Sequence, residues 1–180
     1  MMGTDQRDMF VAELRRAIET SVPNDGHIFD FGAGDGQTFA LVADSVPQGT
    51  RVSIEDPNPE YLANYRAFLK TKAHLRPGVA LAAEFDEIDA AAKRLGEKLP
   101  PDGSIDLGLA LHMIYFVNDL PASVKRMVRR FEGLEKFEAA AALLRHNPEA
   151  VDLRVEDDGP RKGMWSVTQP QWVAALRRTR

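Results

Sequence analysis

The stretch His27-Ile28-Phe29-Asp30-Phe31-Gly32-Ala33-Gly34-Asp35-Gly36 constrains this chain more than any other. It opens on a short apolar run with two Phe and an Ile, which reads as a buried strand. Three glycines follow at alternate positions. Phe39, Leu41, Val42 and Val46 then recur at roughly helical spacing, predicting a helix to about Ser45. Glycines let the backbone take positive φ and let a ligand approach atoms that a Cβ would shield. A helix start after the turn leaves free N–H groups facing that ligand. Strand, glycine turn and helix together suit the polar part of a nucleotide-like ligand, and the plain alternative is a turn that holds nothing.

Composition narrows the class. At 180 residues, the chain suits one domain with a real core. Its formal charge of −4 argues mildly against a nucleic-acid backbone as partner. The absence of cysteine removes disulfides, thiolate metal sites and a cysteine nucleophile. No apolar run approaches the roughly 18 residues of a membrane helix. The N-terminus mixes acids and bases without an apolar core segment, so no signal peptide is expected. The expectation is a soluble cytoplasmic protein with no membrane, nucleic-acid or metal partner.

Along the chain, strands alternate with helices. Thr4 to Ser21 reads as an amphipathic helix with Phe10, Leu14, Ala17 and Ile18 on one face, capped by Thr4 or Asp5. Arg51 to Glu55 is a second strand ending in Glu55-Asp56. Asn58 caps the next helix, Pro59 suits its first position, and Tyr61, Leu62, Tyr65, Phe68 and Leu69 form its stripe. Arg76-Pro77-Gly78 reads as a loop and Val79 to Ala83 as a weak third strand. A helix with Ile88, Ala92, Leu95 and Leu99 on one face follows, and Ile105 to Leu111 is a strongly apolar fourth strand. Asp119 caps a helix ending near Phe131. This alternation predicts an α/β fold, an open and mostly parallel Rossmann-like sheet with helices on both faces.

The glycine spacing separates two kinds of ligand. A dinucleotide fingerprint, G-x-G-x-x-G from Gly32, needs its third glycine at position 37, which is Gln37. Here the third is Gly36, giving D-x-G-x-G-x-G from Asp30. With the acidic pair Glu55-Asp56 about 20 residues on, the chain resembles class I S-adenosylmethionine-dependent methyltransferases from roughly Gly26 to Phe131. The resemblance implies that Asp30, Gly32, Gly34 and Gly36 hold the methionine part of S-adenosylmethionine. It implies that Asp56 accepts from both ribose hydroxyls, because Pro-Asn-Pro-Glu then opens the helix in register, with Glu55 in reserve. A helix-capping acid is the plainer role for either. Phe85 and Asp86 fall where the family contacts adenine, and Leu111 ends strand four on the cofactor side. Asp106 to Pro121 is most similar to the small-molecule, histamine N-methyltransferase-like type. That likeness puts His112, Tyr115 and Phe116 beside the acceptor, with His112 either a general base or a structural histidine closing the strand. Strand four lacks the Asn/Asp-Pro-Pro-Tyr/Phe motif of enzymes that methylate adenine or glutamine nitrogen, which also points to a small-molecule acceptor.

The family pattern lapses after Phe131. No fifth-strand signal follows, and Glu132 to His146 reads as more helix. Val151 to Val155 and Met164 to Val167 look strand-like, and Thr168-Gln169-Pro170-Gln171 resembles a capping box for a last helix with Trp172, Val173 and Leu176. This part is either the family's terminal hairpin with strand five lost or an unrelated tail. The expected organisation is one domain over residues 1–180, with a cofactor core at 26–131 and a divergent part at 132–180. A bare strand-four edge needs a cover, from the hairpin or from a second copy in a homodimer. The function expected is methyl transfer to a small nitrogen or oxygen acceptor. A non-catalytic or regulatory S-adenosylmethionine-binding protein and a nucleotide-linked oxidoreductase are its rivals.

Overall fold

The structure is a computed structural model and describes residues 4–111, 152–155, 165–168 and 176–177. α1 (Thr4–Ser21) leads into β1 (His27–Phe31), a single helical turn α2 (Gln37–Ala40), β2 (Arg51–Asp56), α3 (Pro59–Thr71), β3 (Arg76–Ala82), α4 (Ile88–Leu95) and β4 (Leu107–Leu109). β5 (Asp152–Val155), β6 (Trp165–Thr168) and β7 (Leu176–Arg177) complete the described strands. The main sheet has the order β3-β2-β1-β4-β7. Its first four strands are parallel, and β7 runs antiparallel to β4. This is the open, mostly parallel sheet expected.

Alternation along β1 divides the core in two. Ile28 joins Leu14 and Ile18 of α1, Phe39 of α2, Val52 and Ile54 of β2, and Leu62, Tyr65 and Leu69 of α3. Phe29 and Phe31 face the other way, onto Leu81, Phe85, and Ile88, Ala91 and Ala92 of α4. Helices therefore cover both faces. Burying Phe29, Phe31, Phe39 and Tyr65, all at most 1% exposed, stabilises the sheet by roughly 1.5–3 kcal/mol for each large side chain.

Six expectations about elements need correction. The helix expected to carry Leu99 is shorter: α4 ends at Leu95, with Gly96 in the left-handed conformation as its C-cap. The helix after the glycine turn does not reach Ser45: α2 is one turn, followed by a 3₁₀ turn at Ala43–Ser45. β3 starts at Arg76, because a bulge admits the Pro-Gly pair. Val52 pairs with Pro77 and Ile54 with Ala80, so two residues, Gly78 and Val79, face Ser53 alone. Strand four is three residues, Leu107–Leu109, rather than 105–111. The two late strand-like segments pair with each other as an antiparallel two-stranded sheet and do not cover β4. Leu176 belongs to a strand instead of a last helix, and β7 pairs with Leu107 and Gly108. His112, Tyr115 and Phe116 lie outside the described residues, as does the helix expected from Asp119.

Candidate functional site

The glycine turn crosses the carboxyl ends of β1 and β2. Gly32, Gly34 and Gly36 all take positive φ, 58°, 56° and 82°, which only glycine adopts without strain. Their surroundings differ. A Cβ built on Gly36 would lie 2.5 Å from the Tyr65 ring, so Gly36 is there for packing. A Cβ on Gly34 would meet nothing within 4 Å among the described residues, so Gly34 borders open space there.

The turn's N–H groups are largely engaged by the chain's own oxygens. Gly32 N donates to Glu55 Oε2 at 3.1 Å, and Gly34 N donates to Asp56 Oδ2 at 2.9 Å. Ala33 N donates to the Glu55 carbonyl at 2.8 Å, and Gln37 N to Asp35 Oδ1 at 3.2 Å. The end of β2 thus grips the turn through both acids of the Glu55-Asp56 pair. Asp56 is held from the other side by Asn58 N, 2.8 Å from its Oδ1, while Asn58 Oδ1 caps α3 by accepting from Glu60 N and Tyr61 N.

Asp30 lies under the turn and is 3% exposed. Its Oδ2 accepts from the Tyr65 hydroxyl at 3.1 Å, and its Oδ1 has no hydrogen-bond partner among the described residues. Burial, relieved in part by Tyr65 and reinforced by the Asp56 charge, pushes the Asp30 carboxyl up to about 7. Burial also pushes Glu55 up to about 8, against the Gly32 N–H and with help from the charges of Asp56, Asp30 and Glu84. These influences on both acids come from carboxylates and from neutral donors, with no basic side chain among them. Among the described residues, no group of three or more His, Cys, Asp or Glu is arranged to hold a metal ion.

The residues named from the sequence therefore divide. Asp30, Gly32, Gly34, Gly36, Glu55 and Asp56 come together at one mouth. Phe85 is placed in the α4-side core, 7% exposed, with its ring edge-on to Phe31 at 5.5 Å between centroids. Asp86 is exposed beside it, and Leu111 is half-buried against the α1–α3 core. Sequence reading missed Tyr65 as a site residue. It counted only as part of the α3 stripe, and nothing local reveals that a tyrosine 35 positions away will bond Asp30.

No protein-family model matches this chain, and no curated protein does. Solved structures share its fold. The CurJ carbon methyltransferase aligns with a TM-score of 0.53 and 12% identity, over 69% of this chain and 31% of that one. CrArsM, an arsenic(III) S-adenosylmethionine methyltransferase from Chlamydomonas reinhardtii, aligns with a TM-score of 0.48 and 19% identity, over 65% and 44% of the two chains. An S-adenosylmethionine-dependent methyltransferase from Mesorhizobium loti aligns with a TM-score of 0.44 and 19% identity, over 66% and 47%. The chain spans less than half the length of these three structures. At 12% identity the likeness to the CurJ carbon methyltransferase is one of architecture alone, a Rossmann-like methyltransferase fold.

Proposed function

We propose that this chain binds S-adenosylmethionine at the mouth formed by Asp30, the glycine turn and the end of β2, and transfers its methyl group to a small nitrogen or oxygen acceptor. One observation carries the choice of ligand: Glu55 and Asp56 take the N–H groups of Gly32 and Gly34. A dinucleotide needs such N–H groups for its pyrophosphate. Here they are engaged, and the mouth they line is ringed by carboxylates, which favours a ligand carrying positive charge. S-adenosylmethionine carries a sulfonium and an ammonium.

The residues fit that ligand. The open side of Gly34 would give it room, the unpartnered Asp30 Oδ1 offers an acceptor, and Asp56, 9% exposed, would accept from the ribose hydroxyls. When bound, the cofactor would supply an electrophilic methyl on a sulfonium sulfur. The acceptor's lone pair would form the new N–C or O–C bond in line as the S–C bond breaks, the sulfur leaving as a neutral thioether and the acceptor's proton going to a base or to solvent. Holding the two close in a dry site supplies much of the acceleration. His112, as general base for the acceptor's proton, and Tyr115 and Phe116, as pocket wall, belong to the same proposal. So do the histamine N-methyltransferase-like subtype and a cytoplasmic setting.

Because fold alone does not fix chemistry, calorimetry with S-adenosylmethionine and with NAD is the first test. Binding of the former alone supports the reading, and preferential binding of NAD restores the oxidoreductase. The non-catalytic alternative draws on the family pattern lapsing after Phe131. Cofactor binding without turnover over a broad panel of amines and phenols would establish it.

A further inference from the structure

We propose that the positively charged ligand enters this mouth in exchange for a proton, released from the buried carboxyls Asp30 and Glu55. The inference rests on the S-adenosylmethionine reading and adds a coupling between cofactor binding and pH.

The geometry sets up the exchange. By strand alternation Asp30 and Asp56 lie on the α3 face of the sheet and Glu55 on the α4 face, and the Asp56 charge at the end of β2 acts on both acids. The groups facing Asp30 are the Tyr65 hydroxyl of α3, which donates to it, and the Asp56 carboxylate of β2. Its neighbours across the ladders are Ile54 on β2 and Leu109 on β4, both apolar. The groups facing Glu55 are the Gly32 N–H from the turn, Asp56 from its own strand, Asp30 from β1 and Glu84 after β3. Among the described residues, every charge in both sets is negative. Two buried acids in that field hold their protons near neutrality, at about 7 for Asp30 and about 8 for Glu55.

A cation brought into the same space reverses the balance. It favours the ionised carboxylates, so a proton leaves to solvent as the ligand binds. No covalent bond changes and no other reactant is needed: the carboxyl O–H gives its proton to water or buffer, and the carboxylate pairs with the ligand's charge. Affinity then rises with pH up to the range where both acids are ionised in the empty site, and levels off above it. A neutral nucleoside gains nothing from the exchange and binds without it.

Calorimetry at pH 7 in two buffers of different ionisation enthalpy reads the protons directly. S-adenosylmethionine is expected to release on the order of one proton, with the dissociation constant falling by up to about tenfold for each pH unit from 6 to 8. Adenosine is expected to release none. Asp30→Asn and Glu55→Gln should each lower the proton count and flatten the pH dependence, which also apportions the release between the two acids. Carbon-13 NMR of the empty protein checks the starting state, and both carboxyls should titrate near neutrality. Tight binding with no proton release, or carboxyls titrating near their ordinary values, overturns this inference and leaves the ligand assignment standing. Failure of S-adenosylmethionine to bind at any pH overturns the ligand assignment and this inference with it.

Discussion

Gly34 and Gly36 share a left-handed backbone, yet a side chain at each would do different damage. Gly34→Val puts two methyls into the open side of the turn. The chain should stay folded, less a backbone strain on the order of 1–3 kcal/mol, while S-adenosylmethionine binding disappears from a calorimetric titration; unchanged affinity would remove Gly34 from the site. Gly36→Ala drives its Cβ into the buried Tyr65 ring, which holds Asp30. It should lose about 1–3 kcal/mol to overpacking as well as strain, seen as a lower urea midpoint than Gly34→Ala shows. Equal midpoints would mean that Tyr65 yields. The β2 acids differ likewise. Asp56 is 9% exposed at the rim and Glu55 is 1% exposed beneath the turn. Asp56→Ala should weaken the cofactor by about tenfold to a hundredfold, for loss of charge-assisted hydrogen bonds, and more than Glu55→Ala does. The reverse order would move the ribose to Glu55. Sequence alone exposed the residue types and their register here, since D-x-G-x-G-x-G and Glu55-Asp56 are local patterns. It did not show which glycine packs and which opens, because that depends on Tyr65 arriving from α3.

Elements were legible where one local cause decided them. The α3 start is such a case: Asn58 caps and Pro59 follows at the first position, as its chemistry dictates. Asn58→Ala should cost about 1 kcal/mol of stability by loss of that cap. Ser at the same position should recover most of it in thermal unfolding, and an equal loss with Ser would show that the cap is not the cause. Elements were misread where a partner strand decided them. Arg76-Pro77-Gly78 carries turn chemistry, yet it extends β3, because an edge strand tolerates Pro77 and the bulge fits Gly78 against Ser53. The spacing of Phe39, Val42 and Val46 suits a helix, but Val42 leaves the helical conformation and starts a 3₁₀ turn. All three residues reach the same core without a continuous helix. At the late strands, β7 is fixed by pairing with β4, a contact about 70 residues away in sequence that no periodicity encodes.

At the scale of the molecule, titrations at opposite ends of the sheet oppose each other. Burial first, then Arg51, lowers the imidazole of His27 to about 4, with Asp106 pulling the other way. Its stabilising contribution is full above 6.5 and is lost as pH falls toward about 4. Asp30 and Glu55 have folded values above their ordinary 3.8 and 4.5, so their contribution is full below those values and is lost as pH rises through about 7 and 8. Two acids outweigh one histidine, so the empty protein should lose stability between pH 5 and pH 8, as read from urea midpoints. Asp30→Asn should flatten that slope, and a wild-type midpoint that rises with pH would contradict it. The sheet's edges complete the molecular argument. From the sequence a homodimer is expected only as one way to cover a bare β4 edge, and β7 covers that edge at Leu107 and Gly108. At the opposite edge Pro77 has no N–H to offer a pairing strand. A two-fold dimer of this chain is therefore proposed only on surfaces other than these two edges. A chain ending at Ala175 loses β7 and uncovers the backbone of β4 beside Leu107 and Leu109, both fully buried in the intact protein. Sedimentation at micromolar concentration should show this truncated chain at a higher mass than the 20.0 kDa chain of 180 residues under the same conditions. Identical sedimentation, with the sheet still folded by circular dichroism, would mean that β7 is not what guards the edge.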